Sequence, residues 1–383
     1  MPFEITVEDA LKKLNFCEHC GFCRSVCPVV EAENYDESVS PRGRKTLFLA
    51  LMTEGLQPTL RLSEKFYKCS TCYSCAYKCP QGINIGEISL LARQKLFELG
   101  IVPESTKRLL NTILEFKNVY SMDNASRNDW VMYTDADVKV KDSADTVYFV
   151  GCITSFSGMV QTIAQAVTGI LNHLNEDWTV LKDEWCCGHP LVLAGALKEA
   201  KTLAEHNVKE ISSVSPKRVI TGCPGCYLAL KHEYPKLLGR RPNFEVLHFV
   251  EFLENYIKKE RLKVPRLDTI ITYHDPCELS RAGGIIKEPR NILSSIANPV
   301  YPEYSDVYSC CCGGGGLLKA NYPSISGFIS KRRYDMLTST KAEIITSACP
   351  TCIQNLLQAA SSQQNGRRIV DISQLIAEQI GLM

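Results

Sequence analysis

The sequence predicts an α + α/β protein: a mainly helical N-terminal module followed by two α/β halves that repeat one another. Three observations predict it. Residues 1–118 carry helical periodicity with little strand-like alternation. Beyond them, an apolar β-branched run ending on a cysteine occurs twice, at Asp145–Cys152 and Asp268–Cys277, each leading into helical sequence and a second strand run. Finally, all but one of the 19 cysteines fall into four groups that divide along the same lines.

In chain order, residues 5–16 place Val7, Ala10, Leu11 and Leu14 on one helical stripe that leads into the first cysteine group. Lys45–Met52 is a second helical stretch, and residues 86–99 and 104–117 read as amphipathic helices. Residues 119–144 are polar, lack helical periodicity and read as a linker. The first half then spans 145–265 and the second 266–383. Arg218–Cys226 matches Glu343–Cys352, each a short strand feeding a Cys-Pro-x-Cys turn, and Val246–Leu253 matches Ile369–Ile376. Strands alternating with helices imply a largely parallel sheet, made twice, with sites beyond the carboxyl ends of its strands.

Bulk properties exclude several functions. Hydrophobic content of 45% and charged content of 22% are those of an ordinary globular chain, and a net charge of +1 offers no field for nucleic acid. No apolar run approaches the ~20 residues a membrane span needs, and the polar start is no signal peptide, so the expected location is the cytoplasm. A disulfide framework suits short, loop-rich secreted chains, which this is not.

Cys17, Cys20, Cys23 and Cys27 spell C-x2-C-x2-C-x3-C-P, and Cys69, Cys72, Cys75 and Cys79 spell it again. Three closely stepped thiolates wrap one face of a cubane cluster, and the fourth, before proline, ligates the other cluster. The expected sets are therefore Cys17, Cys20, Cys23 with Cys79, and Cys69, Cys72, Cys75 with Cys27, each around a [4Fe–4S] cluster. Structural zinc also uses C-x2-C but does not need this run twice.

Cys152, Cys186, Cys187, Cys223 and Cys226 form a five-cysteine pattern that Cys277, Cys311, Cys312, Cys349 and Cys352 repeat 125 or 126 residues on. Adjacent Cys-Cys side chains diverge, which suits a polynuclear cluster better than one tetrahedral ion. Gly188 and Gly313–Gly316 leave room for backbone to approach inorganic sulfur. A thioredoxin-like Cys223–Cys226 dithiol would leave Cys152, Cys186 and Cys187 unexplained. The glycine run lacks the G-K-[ST] of a phosphate loop. Cys310 reads as a buried free thiol and His248 as core. His189 and His274 stand near cysteines, where local backbone satisfaction is the commoner role. No residue is assigned a catalytic role.

These motifs resemble the cysteine-rich "CCG" domains of heterodisulfide reductase joined to its helical two-cluster ferredoxin subunit. The layout is shared by iron–sulfur subunits of glycolate, lactate and anaerobic glycerol-3-phosphate dehydrogenases, which Ser40-Pro-Arg-Gly-Arg resembles more than it does the reductase. The resemblance implies that each five-cysteine set holds a noncubane [4Fe–4S] cluster, giving two cubane and two noncubane clusters. With no nucleotide fingerprint such as G-x-G-x-x-G, it implies a flavoprotein partner and a membrane anchor or quinone-linked partner at the inner face of the membrane. The expected function is electron relay between that flavoprotein and a quinone or other carrier. The alternative is a catalytic reductase splitting a disulfide at a noncubane cluster.

Overall fold

The computed structural model describes residues 5–361, 363 and 366–383. Its N-terminal part is a set of helices around two cysteine turns. Helix Val7–Leu14 starts on a reciprocal Thr6–Asp9 cap and buries Ala10 and Leu14, while Val7, on the same expected stripe, is exposed. Helix Pro41–Met52 begins at Ser40, whose Oγ accepts from the Gly43 amide at 2.9 Å. Helices Leu60–Tyr67 and Ile85–Glu98 close over it, and Phe48, Phe66, Ile88 and Leu96 form the shared core. Each such side chain contributes about 1.5–3 kcal/mol by leaving water. Glu104–Phe116 completes the set and packs Leu110 and Ile113 against Leu191 and Leu193 further along the chain.

The segment expected as a linker carries a 3-10 helix, Asn124–Tyr133, with Trp130 and Arg127 buried. Trp130 joins the core of the first half. A three-residue repeat gives no 3.6-residue stripe, so periodicity could not reveal it.

Beyond it lie two parallel sheets. The first has strands β1 (Thr146–Tyr148), β2 (Trp178–Thr179), β3 (Arg218–Thr221) and β4 (Glu245–His248), in the order β2-β1-β3-β4. The second has β5 (Ile271–Tyr273), β6 (Ile344–Ser347) and β7 (Arg368–Asp371), in that order. An isolated parallel bridge from Thr272 to Val300 stands where β2 stands in the first half. The registers correspond. The Phe149 amide donates to the Ile220 carbonyl at 2.9 Å, and the His274 amide donates to the Thr346 carbonyl at 2.8 Å.

The halves share a core. Val147 and Ile220 from one and Leu375 and Ile376 from the other belong to the same buried cluster. Each half lends a helix across the boundary: Ile372–Gln379 packs on Thr162–His173, and Phe249–Lys258 on Lys287–Ile296.

The N-terminal helices are fastened to both halves through Arg93, which is fully buried. Its guanidinium donates to the carbonyls of Phe66 and Tyr67, to Cys69 at 2.5 Å, to Leu193 at 3.0 Å and to Gly316 at 3.2 Å. Backbones touch beside it. A Cβ on Gly316, at φ +64°, would collide with the Ser70 carbonyl. Arg93→Leu orphans several buried carbonyls at once and should cost about 3 kcal/mol or more. We expect a lowered thermal midpoint and faster proteolytic release of the N-terminal helices. Lys201→Ala, on an exposed helix face, should change neither.

Candidate metal centre

The two N-terminal cysteine turns share one backbone design. After Cys20, Gly21 takes φ +81° and starts the short helix Phe22–Ser25, which carries Cys23; Cys27 then caps helix Pro28–Ala32. After Cys72, Tyr73 takes the same left-handed position at φ +61° and starts Ser74–Lys78, which carries Cys75. A Cβ is strained there, and the Tyr73 ring is held over Gly86, where any larger residue would meet it at 2.8 Å. The first turn is partly open, with Cys20 exposed, whereas Cys69, Cys72 and Cys75 are buried.

The thiols group across the motifs. Cys23 has Cys79, Cys17 and Cys20 as its charged neighbours, and burial followed by these three pushes its thiol up to about 11. Burial also pushes Cys27 up, with Arg44 opposing it and Cys72 and Cys69 adding to it. Cys75 is raised by burial and then by Cys69, Cys72 and Cys27.

In the first half, Cys152 opens a helix directly beyond β1, and Cys223 caps helix Pro224–Leu228 beyond β3. Cys186–Cys187 reach them from a connecting segment, followed by Gly188 at φ +82°. Cys152 meets Cys186, Cys187 meets Cys226, and Cys226 meets Cys223. In the second half Cys277 meets Cys311, Cys312 Sγ lies 3.3 Å from Cys352 Sγ, and Cys352 meets Cys349. Contact between thiols raises Cys152, Cys226, Cys277 and Cys352 well above the ordinary range. So many adjacent sulfurs cannot all ionise without cations among them, and iron would supply that charge. The donor set therefore fits iron–sulfur clusters.

The glycines also serve packing between segments of the protein. Gly188 and Gly313 sit close against Ala200 and Ser326 of packed helices, and Gly316 against Ser70. Backbone closeness does serve sulfur at two points: the amides of Gly313 and Gly314 donate to Cys311 and Cys312 at 3.2 and 3.5 Å. Gly151, which carries no signal in the sequence, is the tight spot, since a Cβ there would lie 3.0 Å from Cys226 Sγ.

Buried charges surround the thiols. Arg127 donates to Glu184 at 2.9 Å and to Cys152 Sγ at 3.6 Å. Glu184 in turn accepts the amides of Val150 and Gly151 at the end of β1. Burial opposes the charge of Arg127, but Cys152 and Glu184 hold it firmly protonated. In the second half, Arg281 donates to the carbonyls of Cys72 at 2.5 Å and Ser309 at 2.8 Å. Its charge faces Cys72, Cys277 and Cys311, where Cys72 meets Cys311 directly. One buried cationic link thus joins the N-terminal thiols to the second half.

A cavity of about 460 Å³ opens beside the first-half set, with Cys152, Cys186, Cys187, Cys223 and Cys226 on its wall. The second-half cysteines do not line it. Leu109, Ile153, Leu193 and Leu317 make it apolar; Lys319 stands in it with Nζ 3.2 Å from Gln354 Oε1. His189 is also there, its Nδ1 2.8 Å from Glu233 and its Nε2 3.4 Å from Glu278. Burial disfavours its charge, yet the two carboxylates raise its pKa well above the usual value. His248 is core, capping helix Phe249–Lys258, with burial depressing it to about 3. Cys310 is half-buried rather than buried, next to Arg333 and Arg332. Arg127, Glu184, Arg281, Glu278 and Lys319 had no local signal, because each meets the site only through the fold.

Comparison with known proteins agrees with this picture. The cysteine-rich domain family, CCG, matches residues 146–231 and 271–356, and the 4Fe-4S dicluster domain matches 13–83. The chain is 34% identical to a subunit of the dihydromethanophenazine:CoB–CoM heterodisulfide reductase of Methanosarcina acetivorans, over 97% of this chain and 95% of that one. It is 27% identical to a subunit of the fumarate reductase (CoM/CoB) of Methanothermobacter marburgensis, covering 95% and 72% of the two. It is also 27% identical to the EtfAB:quinone oxidoreductase of Syntrophomonas wolfei, covering 82% and 46%. A hypothetical protein from Helicobacter pylori shares the fold, with a TM-score of 0.62 at 12% identity over 98% of this chain and 77% of that one. Among the described residues no helix is long and apolar enough to cross a membrane. With two CCG domains, a dicluster domain and a full-length relative, the chain belongs to the heterodisulfide reductase family as an iron–sulfur oxidoreductase subunit.

Proposed function

We propose that this chain relays electrons between a flavoprotein dehydrogenase and a quinone or other carrier through four [4Fe–4S] clusters. One observation carries the reading: the four thiol groups form an unbroken series. Cys75 lies within electrostatic reach of Cys23, Cys72 meets Cys311, and Cys349 faces Cys223 across the two halves. When bound, the clusters supply one-electron transfer, and the protein supplies the alignment and the buried cations. Cys17, Cys20, Cys23 and Cys79 would hold one cubane cluster; Cys27, Cys69, Cys72 and Cys75 would hold the other. Cys152, Cys186, Cys187, Cys223 and Cys226 would hold one noncubane cluster, and Cys277, Cys311, Cys312, Cys349 and Cys352 its counterpart. The divisions 1–118, 119–144, 145–265 and 266–383 then separate the cubane module, its connection and the two noncubane halves. A relative named for a quinone reaction supports a quinone-linked partner, and with it a place at the inner membrane face.

The cavity favours a second reading, catalytic disulfide reduction. An open apolar cavity against five thiols is what a thiol-bearing substrate would need, whereas a relay cluster can remain sealed.

Anaerobically purified protein should contain about sixteen irons, as four [4Fe–4S] clusters require. About eight would confine clusters to the N-terminal module, and stoichiometric zinc would overturn the reading. Crossed ligation is checked by EPR: Cys79→Ser should perturb the same signal as Cys20→Ser, and Cys27→Ser the same signal as Cys72→Ser. If Cys79→Ser instead matched Cys72→Ser, ligation would be linear.

Relay and reductase separate when oxidised protein meets small thiols. The relay reading expects no thiol-dependent signal and co-purification of a flavoprotein. A thiol-specific signal abolished by Cys187→Ala but retained in Cys311→Ala would favour the reductase, because Cys187 lines the cavity and Cys311 does not.

A further inference from the structure

The two halves differ at one register position that faces a cysteine set. Phe149 and His274 occupy equivalent places beyond β1 and β5, each donating its amide to the matching carbonyl of the neighbouring strand. Both are buried. In the first half the position is a hydrocarbon ring. In the second it is an imidazole with a ring nitrogen, Cys312 Sγ and Cys352 Sγ all within 4.8 Å of one another.

The arrangement settles which nitrogen carries the proton. Arg333, also fully buried, donates from Nε to His274 Nδ1 at 3.0 Å and from Nη1 to the Tyr304 carbonyl at 2.9 Å. A guanidinium has donors only, so Nδ1 must be the accepting nitrogen and the neutral ring carries its hydrogen on Nε2. That Nε2 is buried and has no hydrogen-bond partner among the described residues. A buried donor left unpaired is costly, and on a ring that lies beside two thiols it marks a missing acceptor.

We propose that His274 is a hydrogen-bond donor to the sulfur of the second-half cluster, oriented by Arg333, and that it raises the reduction potential of that cluster alone. The inference rests on the proposed cluster at Cys277, Cys311, Cys312, Cys349 and Cys352. Hydrogen bonds to cluster sulfur stabilise the more negative, reduced state and so move the potential upward. Neutral imidazole with its proton on Nε2 gives that bond without adding a net charge. His274 is therefore a tuning residue and not an iron ligand, and Arg333 is a positioning residue. The first half has no equivalent donor at Phe149; its cationic partner, Arg127, donates to a different cysteine position, Cys152 Sγ, at 3.6 Å.

The test is an anaerobic redox titration of the full iron-loaded chain, followed by EPR. His274→Phe, which copies the residue of the first half, should shift one cluster's one-electron equilibrium at least tenfold toward the oxidised form, about 59 mV downward. The other signals should stay in place and the iron content should be unchanged. His274→Gln keeps an N–H at a similar reach and should restore the potential to within about threefold of the parent equilibrium. Unchanged midpoints in His274→Phe at full iron content would overturn the proposal. Should His274→Phe lose iron, the parent protein decides. With 15N-histidine, pulsed EPR should show one weakly coupled nitrogen; a coupling of the size given by a bound ligand, or none, would refute the hydrogen bond. If Cys311→Ala and Cys312→Ala leave the parent iron content intact, it is the cluster assignment that fails, before His274 is in question.

Discussion

The structure depends on a single buried guanidinium. Among the described residues Arg93 pairs with no carboxylate; it is neutralised by carbonyl dipoles contributed from three parts of the chain. Burial lowers its pKa, with Cys69 opposing that shift, so the site is costly and tolerated only because the carbonyls converge. Those carbonyls come from Cys69 at the second cysteine turn, Leu193 after Cys186–Cys187, and Gly316 after Cys311–Cys312. One side chain therefore fixes three cysteine-bearing segments relative to one another. Electron transfer falls steeply with distance, so the proposed relay would be only as good as the rigidity of such joints.

The same economy recurs at the thiols. Each half builds its set on strand ends and helix starts, where backbone amides are free to face negative charge. Glu184 consumes two of these amides in the first half and holds Arg127 against Cys152. In the second half Arg281 is bound by carbonyls and faces three thiols. Duplication supplied the frame twice, and the charges around it have since diverged.

What was legible in the sequence follows from how local each signal is. The helices Ile85–Glu98 and Glu104–Phe116 lay within a residue or two of their periodic stripes, since burial of one face sets that period. The cysteine groups were legible because ligand spacing is itself local. The two-residue strand Trp178–Thr179 was not, being too short to alternate. The partnership of Arg127 with Glu184, 57 positions apart, left no trace in either neighbourhood, and neither did the cavity position of Lys319. Ser40-Pro-Arg-Gly-Arg, read for its resemblance, has a packing explanation as well: Gly43 lies against the Glu37 carbonyl with no room for a Cβ, and Arg44 is buried with Nε on the Lys65 carbonyl.

The difference between the two N-terminal turns bears on how this protein ages in air. At Gly21 no ring covers the turn, where only the Arg42 guanidinium comes near, and Cys20 is open to solvent, as are Phe16 and Phe22. At Tyr73 the ring roofs the turn, and the three neighbouring cysteines are shielded. Of the two N-terminal turns, oxidants arriving from solution reach Cys20 before Cys69, Cys72 and Cys75. An electron partner needs the same access. In the proposed relay, the N-terminal turn that offers an electron partner access is thus also the one more easily corroded.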